Sequence, residues 1–371
     1  MKAPIDVLIL SASFGGGHRA VSEALREELQ DYQIRAHMVD PYEELNPKLN
    51  KINADFYIKL MKYAPSLYGL FYDLTYDLSM NNIFNKLGAY IGREKLLEIL
   101  ENYKPKVIVA TYPTYAGMLS HLKKENRIRS HVITVITDFV AHSQWIHQHI
   151  DTYFVASQEV FLNLIKKGIP PEKIYISGIP IRKSFSEDYP IEALREKYGV
   201  KEGLPVILLM NIAFGNLRAL KEVCDVLMDI DIPFKSFVLC GRDEKLCKAI
   251  SNYDKRFVPL RGFLNMAELM SIAYLLISKA GGITTSESLA KGLPMVFYKV
   301  PPGQEKHNAD YVSKHGAGLI ANRSYEFKNF LKALLTNKEL YELVKEKTKE
   351  IAKPFASKYV ARYINDVLQK L

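Results

Sequence analysis

The chain has 371 residues, 48% of them hydrophobic and 25% charged, which is an ordinary balance for a soluble protein with room for about two domains. Lys and Arg number 50 against 41 Asp and Glu, a net charge of +9. That excess suits a phosphorylated ligand, an anionic membrane surface or nucleic acid, but it is spread along the chain with no zinc-finger, recognition-helix or RNP signature, so nucleic acid is set aside.

The first expected strand, residues 7–10, runs straight into Ser11-Ala12-Ser13-Phe14-Gly15-Gly16-Gly17-His18. Strand, glycine turn and helix in that order turn backbone N–H groups and a helix N-terminus toward an anion. The turn lacks the G-K-[ST] ending of a P-loop, which argues against phosphoryl transfer from ATP. Gly16 and Gly17 allow close backbone approach, and His18 opens the helix expected over 19–30. The helix dipole there disfavours imidazolium, and neutral imidazole is a general base near pH 7. A simple turn cap is the plainer alternative for His18. After a strand at 36–39 comes an insert, 48–95, in which Phe56, Tyr57, Tyr63, Leu67, Tyr68, Leu70, Phe71, Tyr72, Tyr76 and Tyr90 alternate with Lys51, Lys59, Lys62, Lys86 and Arg93. Such a mixture suits a lipid–water interface, or else an extra helical layer over the sheet.

Further strands are expected at 107–111, 131–137, 152–155 and 174–177, with a helix over 117–124. Strands separated by helices imply a parallel, doubly wound sheet. Asp138, His142 and Trp145, the only tryptophan, come after the end of the 131–137 strand, where open α/β sheets bind ligands. Asp138 reads as a second acid/base candidate or as the group that orients His18; the alternative is an N-cap, with His142 a solvated helix residue. His142, His147 and His149 do not have the spacing of a tight metal site, and no metal is expected.

Residues 181–197 read as a linker between domains at 1–180 and 198–355. The second half repeats the scheme, with strands at 206–210, 234–240, 257–260, 275–278, 295–298 and 318–321. Cys224, Cys240 and Cys247 form no C-x-x-C pair and read as core thiols of a reducing compartment. The second glycine turn, Lys279-Ala280-Gly281-Gly282-Ile283-Thr284-Thr285-Ser286-Glu287, comes directly after the 275–278 strand. Its glycines, with Thr284, Thr285 and Ser286, suit a diphosphate, and Glu287 suits the two ribose hydroxyls of a nucleotide. Gln304, Glu305 and Asn308 lie beyond the next strand and suit sugar hydroxyls. Pro354 breaks the C-terminal helical pattern, so a new helix over 356–371 is expected to pack back on the first domain. No apolar run reaches the 18 or so residues of a membrane span, and no secretory pattern opens the chain. The expectation is a cytoplasmic protein, peripheral on the inner face of the membrane.

Taken together these segments resemble the diacylglycerol glycosyltransferases, of the monogalactosyldiacylglycerol synthase and processive diacylglycerol β-glucosyltransferase type. The residues that carry the likeness are Ser13-Phe14-Gly15-Gly16-Gly17-His18-Arg19, Val135-Ile136-Thr137-Asp138-Phe139 with His142 and Trp145, and Ile176-Ser177-Gly178-Ile179-Pro180-Ile181-Arg182. Further along they are Lys279-Ala280-Gly281-Gly282-Ile283-Thr284 with Glu287, and Pro302-Gly303-Gln304-Glu305 with Asn308. The resemblance implies an α/β fold of GT-B type, two Rossmann-like domains facing a central cleft. It implies an inverting, metal-independent transfer from a UDP-sugar to diacylglycerol, with no cofactor. His18 would be the base, with Asp138 beside it. Glu287 would hold the ribose, Gln304 and Glu305 the donor sugar, and Arg261 and Phe263 the uracil, with His142 and Trp145 on the acceptor side. The family's glycine-rich loop after the 206–210 strand is here Asn211-Ile212-Ala213-Phe214-Gly215-Asn216, with one glycine. Two other readings fit the same motifs: transfer to another lipid-linked or soluble acceptor, or a nucleotide-sugar-binding protein of weak turnover.

Overall fold

The computed structural model describes residues 5–12, 16–45, 60, 64–76, 92–210, 217–241, 243–262 and 265–371. The chain divides into two compact units, one of residues 1–60, 67–183 and 353–371, the other of 61–66 and 184–352.

The first unit is a six-stranded sheet of β1 (Val7–Leu10), β2 (Ala36–Val39), β3 (Val107–Ala110), β4 (His131–Val135), β5 (Thr152–Val155) and β6 (Ile174–Ile176). The strands lie in the order β2-β1-β3-β4-β5-β6, and every pair is parallel. Sequences such as VLIL in β1 and VIVA in β3 are buried along their whole length, so helices must cover both faces. The helix Gly17–Asp31 does this with Val21, Ala24, Leu25 and Leu29 buried and Arg26 and Gln30 exposed.

The second unit repeats the architecture with β7 (Val206–Met210), β8 (Lys235–Gly241), β9 (Phe257–Arg261), β10 (Leu275–Ser278), β11 (Met295–Tyr298) and β12 (Gly318–Ala321), in the order β12-β11-β10-β7-β8-β9. It too is parallel throughout. Its core joins Ile207, Val238, Ile277 and Val296 to Phe327 and Leu331 of the helix Ser324–Thr336. All twelve expected strands form, with ends moved by one or two residues. The largest shift matters: β4 stops at Val135, which leaves Thr137 and Asp138 in the turn beyond it.

Strand order reverses direction between β1 and β3 in the first sheet and between β7 and β10 in the second. At such a switch point the two crossovers leave on opposite faces, and a crevice opens at the carboxyl ends of the strands. Both glycine turns sit there.

The residues expected to form a linker belong to the second unit from Ser184 onward, and Ile191–Lys197 is a helix. The helix Lys338–Glu350 stops before Pro354, and a new helix, Ala356–Leu368, packs within the first unit against Gly17–Asp31. Gly178, at φ +84°, makes room for that return, because a Cβ there would collide with the side chain of Lys353.

Candidate active site

In the first unit, Gly16 caps the helix Gly17–Asp31 at φ +77°, a left-handed conformation that glycine adopts without steric cost. The turn delivers His18 to the first helical turn, across from the ends of β3 and β4. His18 Nδ1 lies 3.3 Å from Thr137 Oγ1. Its ring meets Tyr112 edge-on at 5.1 Å and is tilted against Trp145 at 6.2 Å. The backbone beneath is tied down: Ser22 Oγ donates to the His18 carbonyl at 2.9 Å and accepts from Thr111 Oγ1 at 2.9 Å. Burial pushes the His18 imidazole down to about 4, and a hydrogen bond to the Thr111 backbone offsets this in part. At neutral pH the ring is therefore unprotonated, yet the residue keeps some accessible surface.

Asp138 is half-buried and stands next to Thr137 in the chain. The hydroxyl of Thr137, to which the sequence alone assigns no role, is the group at His18 Nδ1. His142 is neither solvated nor a bystander. It is buried, and it caps the short helix Ser143–Trp145 by accepting from Gln144 N at 3.2 Å. With Nδ1 an acceptor, Nε2 carries the proton. It lies 3.1 Å from Thr75 Oγ1 and 3.3 Å from the Tyr72 carbonyl. His142 thus pins the helix Pro65–Tyr76, whose Tyr72 ring packs on it at 4.6 Å. Trp145 is 4% exposed and belongs to the hydrophobic core. Among the described residues no cluster of three His, Cys, Asp or Glu side chains is placed to hold a metal ion.

The pinned helix is the longest described part of the insert. Phe56, Tyr57, Tyr63 and Tyr90 lie outside the described residues, as do Lys51, Lys59, Lys62 and Lys86. Tyr72 and Thr75 face inward, while Leu67, Leu70 and Leu74 are 61%, 58% and 66% exposed. Spaced by three and four residues, those leucines share one face of the helix.

In the second unit, Gly281 and Gly282 join β10 to the helix Gly282–Ala290. Gly281 has an ordinary φ of −68°, and a Cβ there would meet nothing within 4 Å. Neither backbone strain nor crowding explains a glycine at this position. Ile283 and Thr284 are half-buried in the first helical turn, and Glu287 is half-buried a turn further on. The hydroxyls of Thr285 and Ser286 are buried without a hydrogen-bond partner.

Gly303, at φ +93° and ψ −146°, starts the helix Gln304–Lys314. Gln304 is half-buried. Glu305 is 3% exposed, and its Oε1 accepts from Lys279 Nζ at 3.0 Å. Asn308 is fully buried and donates through Nδ2 to the Ala280 carbonyl at 2.9 Å. Arg261 is exposed at the end of β9, and Gly262 comes next at φ +77°. Phe263 and Asn211 lie outside the described residues. Lys279 has no role legible in the sequence, although it stands two residues before Gly281; a lone lysine beside a glycine turn carries no signal until its partner 26 residues away is known.

Residues 18–181 match the family model for monogalactosyldiacylglycerol (MGDG) synthase, and residues 218–362 match that for the glycosyltransferase family 28 C-terminal domain. A processive diacylglycerol beta-glucosyltransferase from Bacillus pumilus is 31% identical over 359 residues, covering 95% of this chain and 92% of the relative. Among solved structures, MurG of Acinetobacter baumannii has a TM-score of 0.59 at 16% identity, over 99% of this chain and all of the other. HepE of Anabaena in complex with UDP-glucose has a TM-score of 0.57 at 15% identity, with the same coverage. These two show the fold, the GT-B architecture. The sequence relationship, continuous over nearly the whole of both chains, goes further: this chain belongs to the same family as the processive diacylglycerol beta-glucosyltransferases.

Proposed function

We propose that the protein transfers a hexose from UDP-glucose or UDP-galactose to the hydroxyl of diacylglycerol, with inversion at the anomeric carbon and without a metal. The observation that carries the reading is His18: an imidazole held neutral by burial, fixed at Nδ1 by Thr137, at a glycine turn on a sheet switch point. His18 takes the proton of the acceptor hydroxyl as its oxygen bonds to the anomeric carbon. The bond to the diphosphate breaks, and UDP leaves with the electron pair. A base this weak needs help as positive charge develops on it, and Asp138, next in the chain to the Thr137 that touches the ring, is the carboxylate assigned to that task. In the second unit Glu287 binds the ribose, Gln304 and Glu305 serve the sugar, and the N–H groups that open the helix Gly282–Ala290 meet the diphosphate. Arg261 with Phe263 and Asn211 complete the donor set, and His142 with Trp145 shapes the acceptor side.

Among the described residues no helix is long and apolar enough to cross a membrane. The acceptor nevertheless lives in a bilayer. We assign the contact to the insert, on the inner face of the membrane: the exposed Leu67, Leu70 and Leu74 enter the lipid, while Lys51, Lys59 and Lys62 meet anionic headgroups, at about 1 kcal/mol each.

The test is the purified protein with each donor and anionic vesicles containing diacylglycerol. The product is read by mass, sugar analysis and anomeric configuration. A β-glycosyldiacylglycerol from one of the two donors is expected, because UDP-hexoses carry the α bond. An α product removes inversion, and no product from either donor removes the reading. Replacing Lys51, Lys59 and Lys62 with Glu is expected to abolish vesicle binding and leave UDP binding intact; unchanged vesicle binding moves the membrane contact elsewhere.

A further inference from the structure

Four non-glycine residues among those described have a positive φ: Gln33, Lys104, Asn126 and Lys299. The first three stand just beyond the ends of the helices Gly17–Asp31, Arg93–Tyr103 and Pro113–Lys124, where a left-handed residue is an ordinary way to stop. Lys299, at φ +50°, comes instead straight after the strand β11. Lysine lacks the short polar side chain with which Asn or Asp offsets that conformation locally, so the surroundings must hold it there. Its N–H donates to the carbonyl of Ala321, at the end of β12, at 2.9 Å. Its Nζ donates to both carboxylate oxygens of Glu222, each at 2.7 Å. Glu222, on the helix Leu217–Met228, also accepts from the Tyr298 hydroxyl at 2.6 Å and from Ser324 Oγ at 2.8 Å. Burial raises this carboxyl, but the hydrogen bonds from Lys299, Tyr298 and Ser324 outweigh it and hold the group at about 2. One carboxylate thus ties the ends of β11 and β12 to a helix, and such a network has the fixed geometry that an isolated surface pair lacks.

The kink leads to the donor residues. Val300-Pro301-Pro302 joins Lys299 to Gly303. Two proline rings fix φ, and each residue before a proline is kept out of the helical region. The segment therefore has little slack, and a direction set at Lys299 is passed on to Gly303 and Gln304. The helix behind them is held separately, by Asn308 to the Ala280 carbonyl and by Glu305 to Lys279.

We propose that Lys299 and Glu222 are positioning residues for the donor sugar: their ion pair locks a left-handed kink after β11, and the stiff segment beyond it sets where Gln304 stands. The inference rests on the donor site of the proposed function, in which Gln304 serves the sugar. Neither side chain contacts the donor; both act through the backbone of the loop.

Calorimetry on the full chain with UDP, UDP-glucose and UDP-galactose tests it, with Tm recorded for each variant. E222Q and K299A both remove the lock. Each is expected to weaken the sugar nucleotide that the wild type binds by about five- to thirtyfold, the factor equivalent to one residue's left-handed strain, while UDP affinity stays within about twofold. K299G accepts the kink without strain and should lose clearly less than K299A. K299R keeps the pair and should match the wild type. An equal loss for UDP and for the sugar nucleotide would make the pair merely structural. Unchanged sugar-nucleotide affinity in E222Q and K299A would show that nothing depends on the kink. A loss in K299G as large as in K299A would mean that the side chain and not the backbone conformation counts, which overturns the proposal. If the wild-type chain binds none of the three ligands, the donor site itself is refuted, and the positioning role with it.

Discussion

Each unit has one turn of the same local design, a parallel strand passing through glycine into a helix at the point where strand order reverses. The two turns differ in why they need glycine and in the side chains that the helix then carries. At Gly16 the backbone itself demands glycine, with φ at +77°, and the helix presents an imidazole among aromatic rings. At Gly281 the backbone demands nothing and no neighbour crowds the Cβ; the helix continues with hydroxyls and a carboxylate. One motif thus makes two sites of opposite chemistry. Burial among rings lowers the proton affinity of His18, whereas the helix after the second turn opens with hydroxyls and a carboxylate. Glycine next to a helix start does not by itself mean phosphate.

That contrast is open to test, beginning with the largest effect. His18→Ala is expected to lower kcat by ~10²-fold or more, the range for loss of a general base, with UDP affinity retained. A near-normal kcat in steady-state assays would pass the role to Asp138. The same residue sets a pH signature. The unfolded imidazole titrates near 6.5 and the folded one near 4. Between those values the unfolded chain binds more protons, so stability falls as pH drops through that window. Denaturant midpoints measured from pH 7 to 4 should decline less steeply in His18→Ala than in the wild type. Parallel slopes would show that burial does not depress this imidazole.

Glu287→Ala tests the other turn. Loss of a charge-assisted hydrogen bond of ~1.5–3 kcal/mol predicts a ten- to hundredfold weaker UDP affinity, with kcat at saturating donor little changed. Unchanged affinity by calorimetry rules the ribose role out. The smallest effect separates the two glycines. Gly16→Ala forces a side chain into the left-handed region and should cost about 1–2 kcal/mol of stability. Gly281→Ala should leave Tm where it is and raise KM for the donor. A drop in Tm for Gly281→Ala, or none for Gly16→Ala, would erase the distinction drawn between the turns.

Much of this was legible in the chain. Runs such as VLIL and VIVA admit few structures other than strands buried on both faces, and the alternation with helices leaves little choice but a parallel sheet. The turns announced themselves by Gly15-Gly16-Gly17 and Gly281-Gly282. Side-chain partnerships were not legible. His142 lies in a stretch that reads as ligand-facing, and the fold uses it to cap one helix and pin another. Tyr72 and Tyr76 read as interfacial, yet their rings pack on His142 while the leucines between and before them face out. In a short amphipathic helix the aromatic and aliphatic faces are equally apolar, so periodicity does not say which one turns inward.

The sequence by itself determined the elements and their parallel pairing, because those depend on local pattern: apolar runs, the alternation of strands with helices, and glycine conformational freedom. Only the tertiary structure decided the state of each group. Thr137 reaches His18 across 119 residues of chain and Lys279 reaches Glu305 across 26. The proton affinity of an imidazole depends on how thoroughly its neighbours exclude water. Burial and pairing are properties of what the fold brings together, and no local spacing encodes them.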